Sequence, residues 1–445
     1  MVSRRRIFDT WWPLAASWVL MGFELPALSA ILARLPDPKI HLAAYGGVVF
    51  ALALIIEAPI IMLLSASTAL SKDWASYLKI RTFMHVTGAI ITVIHGLVAF
   101  TPLYSFVVEE LIGAPAEIVE PARWGLMIMT PWSWAIAYRR FNQGVLIRFG
   151  HSRAMGIGTV TRLGADILVL TIGYLLAGRV PGIVVATSAV ILGVITEAVY
   201  SGLRVQPVLR DELSKAPLVE PPLTWRTFFD FYIPLALTSL LFLLTQPIGS
   251  AAISRMPLPL DSLAVWPVVS GAVFLFRSMG IAYNEVVVAL LDKPNSAINL
   301  RRFTFWLAGS VTALLLIVSL TPLSRLYFEV VAGLPPDLSA MSRTAFWIAI
   351  PWPALSALQS WYQGVILHSK RTRGITEAIA IFLTTVSSLL YLGILWNQVT
   401  GIYIGMAALL IASVIQTIWL AYRSSPTRKS VLAHDKSSSP VRCSG

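Results

Sequence analysis

Phe8-Asp9-Thr10-Trp11-Trp12-Pro13-Leu14-Ala15 returns as Phe229-Asp230-Phe231-Tyr232-Ile233-Pro234-Leu235-Ala236. The two stretches share Phe, Asp, Pro, Leu and Ala at the same spacing. A shift of about 220 residues, constant to within one, also aligns Thr101-Pro102-Leu103 with Thr321-Pro322-Leu323, Glu109 with Glu329 and Gly113 with Gly333. It aligns Arg123 with Arg343, Pro131-Trp132 with Pro351-Trp352, Gln143-Gly144-Val145 with Gln363-Gly364-Val365, and Arg153 with Arg373. One constant shift that preserves residues as rare as Trp, Pro and Gln marks a duplicated unit rather than chance.

The medium in which that unit folds follows from composition. The chain has 445 residues, 56% of them hydrophobic and 13% charged, with a mean hydropathy of +0.74. Soluble domains carry roughly 25% charged residues. A spanning helix takes roughly 20 mostly apolar residues, so the length has room for about a dozen. Spans are expected at 11–33, 41–70, 80–103, 123–145, 157–178, 181–202, 229–251, 264–291, 302–324, 343–366, 376–396 and 400–422. The basic start followed by an apolar run resembles a signal peptide. Glu24 and Pro26 interrupt the run, however, and an uncleaved first span is the expectation. The fold class is therefore all-α integral membrane, with about twelve transmembrane helices in two parallel six-helix repeats.

The net charge of +12 sits in short loops beside apolar segments, so it marks topology rather than a nucleic-acid surface. One set of loops is basic: Arg4–Arg6; Lys72, Lys79 and Arg81; Arg139, Arg140, Arg148 and Arg153; Arg204 and Arg210; Lys293, Arg301 and Arg302; Lys370, Arg371 and Arg373. The alternate set is acidic or sparse, with Glu109, Glu110, Glu117, Glu120, Glu329 and Asp337. The positive-inside rule places the basic set and both termini in the cytoplasm of a bacterial inner membrane. The expected organisation is an N-terminal half at 1–203, a cytoplasmic linker at 204–227, a C-terminal half at 228–422 and a disordered cytoplasmic tail at 423–445. The tail's Lys and Arg permit contact with anionic lipid. Cys443 is the single cysteine, so a disulfide within the chain and a thiolate metal cluster are excluded.

Ionisable residues inside spans are costly and mark function by default. Glu24 and Pro26 lie mid-span, and the repeat sets Thr245-Gln246-Pro247 opposite them. Prolines at matched depth predict matched helix bends at Pro26 and Pro247. Glu24 is then a candidate for ion coupling, with Thr245 and Gln246 as substrate contacts. The bland alternative is a kink with hydrogen-bonded neighbours. Glu57 and Arg277 fall at nearly equivalent positions of the two halves and are candidates for substrate binding as a conformation-sensitive charge pair. A static pair is the alternative. Asp166, four residues after Arg162 and hence on the same helix face, is a second coupling candidate or a local pair. His85 and His95 lack a two-ligand metal spacing and suit packing. Asn284, Glu285, Glu197 and Glu377 lie near helix ends, within reach of water. Gln143 and Gln363 suit packing beside Gly144 and Gly364.

The sequence contains no G-x-x-x-x-G-K-[ST], H-E-x-x-H or G-x-S-x-G motif, so neither a nucleotide engine nor an enzyme is expected. No cofactor or metal is implied. The partners expected are a small-molecule substrate, a coupling ion (proton or sodium) and membrane lipid.

Two six-span halves in parallel repeat, with bent first and seventh helices, resemble the MOP superfamily. This is the fold of multidrug and toxic compound extrusion (MATE) exporters and of lipid-linked sugar flippases. Within it, His95-Gly-Leu-Val-Ala-Phe-Thr-Pro-Leu103, the acidic loop ending at Arg123, Gly144-Val-Leu-Ile-Arg148, Trp12-Pro13-Leu14 and Ile233-Pro234-Leu235 look like the progressive ankylosis (ANK) family of transporters. The resemblance covers most of the chain apart from the tail. It implies a secondary transporter working by alternating access around a cavity between the halves. The ANK resemblance implies export of small polyanions such as pyrophosphate or carboxylates, and the flippases imply a lipid-linked substrate. Glu24, Glu57 and Asp166 outnumber Arg277 among central charges, which suits proton or cation coupling and an exporter of a small organic solute.

Overall fold

The computed structural model describes residues 3–291, 293, 296–369 and 373–437. Lys370 and Arg371 of one basic loop, and Cys443, lie outside these residues. The first half runs α1 Arg4–Gly22, α2 Glu24–Leu32, α3 Pro38–Ala43, α4 Phe50–Glu57, α5 Leu63–Leu70, α6 Trp74–Phe100, α7 Leu103–Ser105, α8 Ala116–Ile128, α9 Trp132–Arg148, α10 Arg153–Leu175 and α11 Gly182–Asp211. The second runs α12 Trp225–Leu243, α13 Thr245–Ile253, α14 Pro259–Ile281, α15 Tyr283–Leu290, α16 Ser296–Leu320, α17 Leu323–Arg325, α18 Pro336–Ile348, α19 Trp352–His368, α20 Arg373–Trp396 and α21 Gly401–Ser437.

This is an all-α membrane fold. Among the described residues, 10 helices are long and apolar enough to cross a membrane. The two other expected spans, 123–145 and 343–366, fall on α8–α9 and α18–α19. Each pair is interrupted ahead of its second helix, at Pro131 and at Pro351.

The repeat extends to local backbone geometry. α7 and α17 both lead into π-helical turns, Phe106–Ile112 and Leu326–Val331. Gly113 and Gly333 follow at φ 70° and 71°, in the left-handed region that favours glycine. Asp37 and Leu258, each between two prolines, stand at φ 52° and 54°. Helix α1 stops at Gly22 and α12 at Leu243, and Pro26 and Pro247 are each the third residue of the next helix.

Two compact units divide the chain differently from the sequence halves. One comprises Met1–Pro26 and Pro267–Gly445, the other Ala27–Trp266. Each half thus lends its opening helix to the unit built from the other half. Hydrophobic burial explains the exchange. Ile7, Trp11 and Ala15 of α1 belong to the same core cluster as Tyr283, Phe303 and Trp361, and Trp11 Nε1 donates to the Met279 carbonyl at 2.9 Å. In the other unit, Phe228, Phe229 and Tyr232 of α12 surround Phe83 of α6 at centroid distances of 4.7, 5.8 and 4.9 Å.

Two expected segments are corrected. The linker expected from 204 stays helical to Asp211, and its later part is tied to α6. The Asp73 carboxylate caps α6 by accepting from Ser76 N–H at 2.8 Å and also accepts from Val219 N–H at 2.9 Å. Lys79 Nζ donates to the Leu223 carbonyl. The tail expected to be disordered from 423 continues α21 through Ser437. Its apolar residues give it a seat: Val431 and Leu432 pack on the core cluster of their unit. Asp435 accepts from the Ile298 N–H at the start of α16 at 3.2 Å, and Arg428 lies 4.8 Å above the Tyr362 ring.

Candidate functional site: a buried charge cluster

Two broken helices bring the first acid into place. α4 ends at Glu57, just before Pro59, which lacks the N–H a helix would need. The carbonyls of Ala58 and Pro59 accept instead from Ser239 Oγ at 2.8 Å and from the Tyr232 hydroxyl. Side chains inside protein thus satisfy groups that lipid could not. α9 starts at Trp132, and its indole Nε1 donates to Glu57 Oε2 at 2.8 Å. Glu57 is buried, 4% exposed.

Further along α9, Arg139 and Gln143 are four residues apart and share a face. Both reach Glu197 of α11: Arg139 through Nη1 to Oε2, and Gln143 through Nε2 to Oε1 at 2.9 Å. Arg162 of α10 stands 3.8 Å from Glu197 and 4.0 Å from Asp166. Arg140, next to Arg139 on α9, interacts electrostatically with Glu57 and Glu197. Three carboxylates and three guanidiniums thus form one network on four helices, with balanced formal charge. Arg139, Asp166 and Glu197 are all buried.

The second half carries the same clasp in neutral form. Gln359 aligns with Arg139, and Thr417 with Glu197. Gln359 Nε2 donates to Thr417 Oγ1 at 3.0 Å, to Gln416 Oε1 at 3.3 Å and to the Ser413 carbonyl at 3.2 Å. Phe382 and Val386 align with Arg162 and Asp166 and are buried apolar residues. Trp352 aligns with Trp132, and Arg277 nearly with Glu57. The Arg277 guanidinium lies 4.0 Å above the Trp352 ring, and its Nε donates to Ser356 Oγ at 3.1 Å.

The other candidates stand on separate elements. Glu57 and Arg277 each find a hydrogen-bond partner inside their own unit. Glu24, half-buried, opens α2, and Thr245 and Gln246 open α13 at the matched break. Among the described residues the buried Thr245 hydroxyl has no hydrogen-bond partner. Gln246 Oε1 accepts from Trp266 Nε1 at 3.5 Å. His95 hydrogen-bonds the Leu126 carbonyl at 3.0 Å and Ser133 at 3.4 Å.

With the geometry in hand, no family model matches the chain and no curated protein matches it. Solved structures do match. An inward-facing multidrug resistance MATE family transporter of the MOP superfamily superposes with a TM-score of 0.63 at 15% identity, over 97% of this chain and 96% of that one. An outward-facing transporter of the same description gives 0.60 at 16% identity, over 96% and 97%. A MOP superfamily transporter from Pyrococcus furiosus Vc1, described as having a binding pocket of reversed polarity, gives 0.55 at 14%, over 96% and 97%. The chain has the MATE fold. None of these structures is described as an ANK protein, and that finer resemblance gains nothing from them.

Sequence reasoning missed the centre of the cluster within this MATE fold. Arg139 and Arg140 were expected among cytoplasmic loop charges, yet both stand in the interior of α9. Glu197 was expected within reach of water and is 2% exposed. The signal available was the repeat itself: polar residues recur at both copies of these positions, as Arg139 opposite Gln359 and Glu197 opposite Thr417.

Proposed function

We propose that the protein is a secondary-active transporter that exports a small organic solute by alternating access, coupled to protons through the charge cluster of the first half. The observation that carries this reading is the contrast between the two copies. The second half packs α19 on α21 with neutral groups, so the fold does not require charges there. Each charge inside a span costs about 2.5–3.5 kcal/mol on insertion scales, and the first half retains six. A proton arriving at Glu57, Asp166 or Glu197 would leave an arginine without its counter-charge. That loosens the contact of α9 and α10 with α11 and favours rearrangement.

A proton suits the cluster better than sodium. Its three acids are already balanced by arginines, and among the described residues no group of three or more His, Cys, Asp or Glu is placed to hold a metal ion. Glu24, at the break after α1, is proposed as a second proton acceptor. Thr245 and Gln246, at the equivalent break, are proposed as polar contacts for the substrate. The inward- and outward-facing forms found among MATE transporters support alternating access. The location proposed is the bacterial inner membrane, with both termini cytoplasmic.

A second reading concerns substrate charge. Arg139 and Arg140 join Arg277 as central cations, which removes the excess of central acids. Among the described residues of its unit, Arg277 has only neutral partners, Ser356 and Trp352. This favours a small anion, the class the ANK resemblance implies, with Arg277 as its anchor. The reversed pocket polarity described for the Pyrococcus transporter is a precedent within the fold.

The test is proton flux in proteoliposomes of the full chain, screened with organic cations and anions, for wild type, Glu24→Gln and Arg277→Gln. Substrate-dependent proton flux supports the coupled exporter, and an anion response lost in Arg277→Gln supports the second reading. Flux unchanged by Glu24→Gln removes that residue from coupling. An absence of proton movement with every solute refutes the proposal.

A further inference from the structure

A cavity of about 430 Å³ opens in the unit Ala27–Trp266, where α6 begins and α11 ends. Trp74 and Tyr77 of α6 and Tyr138 and Phe141 of α9 wall it. The wall is built in advance: Trp74 stacks on Tyr77 with centroids 5.3 Å apart, and Tyr77 meets Phe141 at 5.3 Å. Two cations, Arg81 and Arg210, complete the lining, which contains no acidic residue. Among the described residues Arg81 makes no hydrogen bond or ion pair. Arg210 faces Asp211 at 3.9 Å with both side chains well exposed, an arrangement that contributes little. Asn142 also lines the cavity. It is 3% exposed, and among the described residues its amide Nδ2 has no hydrogen-bond partner. A buried donor left unsatisfied is costly, which points to an acceptor that arrives with a ligand.

The volume falls within the range of small-molecule sites, about 300–1,000 Å³. Guanidinium forks match phosphate oxygens, and aromatic walls take a flat or apolar body. Arg81 and Arg210 make the lining basic, and basic cavities between helices are suited to anionic head groups. We propose that this cavity binds a phosphate ester, with Arg81 and Arg210 on the phosphate, Asn142 as a further donor and the aromatic wall against the organic body. Two sources supply that chemistry: a phospholipid head group and a soluble organophosphate. The proposal stands apart from the transport reading, since it needs no movement of the helices.

The test is binding to the purified full chain in neutral detergent, measured by calorimetry with two probe pairs. Dioctanoyl phosphatidic acid against dioctanoylglycerol reports the lipid source, and AMP against adenosine reports the soluble one. The expected result is a preference of at least about tenfold for the phosphate-bearing member of one pair, the scale of a charge-assisted contact. Arg81→Gln with Arg210→Gln should abolish that preference, and Asn142→Asp should weaken it by repelling the anion. Both arginines are exposed, so their replacement leaves the fold intact. The absence of a phosphate preference in both pairs, or a preference that survives loss of both arginines, overturns the site.

Discussion

Arg139 and Glu197 join α9 to α11 through full charges, while Gln359 and Thr417 join α19 to α21 through neutral groups. The two joints answer differently to mutation. Glu197→Ala strips the counter-charge from a buried arginine and is expected to cost about 3–5 kcal/mol, read as a lowered melting temperature in detergent. Arg139→Gln with Glu197→Thr copies the neutral joint and should recover most of that loss. This charged joint was poorly legible in the sequence, because counting positive charges treats any arginine near a span end as a loop residue. Arg139 becomes visible only when the repeat sets it opposite Gln359. Asp73 gives a pH signature outside the spans. Burial acts to raise its pKa, but the hydrogen bonds from Ser76 and from the Val219 N–H outweigh it and hold the carboxyl below the usual carboxylate range. Its contribution to stability is fully present above about pH 4, the unfolded value, and is lost as pH falls through the lower folded value. The melting-temperature gap between wild type and Asp73→Asn should therefore hold from neutral pH to about pH 4 and close below it.

Helix breaks are the element-scale feature shared by the two halves. Pro26 and Pro247 follow the breaks after α1 and α12, and Pro131 and Pro351 immediately precede α9 and α19. These were legible because proline announces itself in sequence. The π-helical turns at Phe106–Ile112 and Leu326–Val331 were not, since no residue type demands that hydrogen-bond pattern. The turn at Asp37 and Leu258 lay between, its flanking prolines plain and its left-handed backbone hidden by a leucine that rarely adopts it. Gly144 and Gly364 mark where a helix comes close to its neighbour. A Cβ on Gly144 would lie 2.5 Å from Ser67 Cβ and 2.6 Å from the Leu64 carbonyl oxygen. Backbone cannot give way as a flexible side chain does. Gly144→Ala should therefore force α9 away from α5 and cost about 1–3 kcal/mol, checked by thermal unfolding. Gly156→Ala, with open space around it, is the control expected to change little.

Over the whole molecule, the order of the spans followed from hydropathy and the repeat, with ten of the twelve expected found as long apolar helices among the described residues, while the assignment of helices to compact units did not. α1 belongs with the second-half helices because Ile7, Trp11 and Ala15 find their apolar partners there, a long-range match that periodicity cannot reveal. The polar tail was likewise opaque. Its composition matched disorder, yet as far as Ser437 it is helical, with Val431 and Leu432 packed on the core cluster and Asp435 capping α16; residues 438–445 lie outside the described residues. Two tandem copies with one clasp, charged in the first and neutral in the second, let the molecule serve as its own control for what the charges do. The most direct measurement rewrites the first copy in the terms of the second: Arg139→Gln, Arg162→Phe, Asp166→Val and Glu197→Thr together. Its melting temperature is compared with wild type, and both are assayed for flux driven by a pH gradient in proteoliposomes. Coupling through the cluster predicts a folded protein whose melting temperature stays near wild type and whose proton-driven flux is lost. Flux at the wild-type level from this variant, in which only Glu57 and Arg140 of the six charges remain, would contradict the account and leave Arg139, Arg162, Asp166 and Glu197 as packing alone.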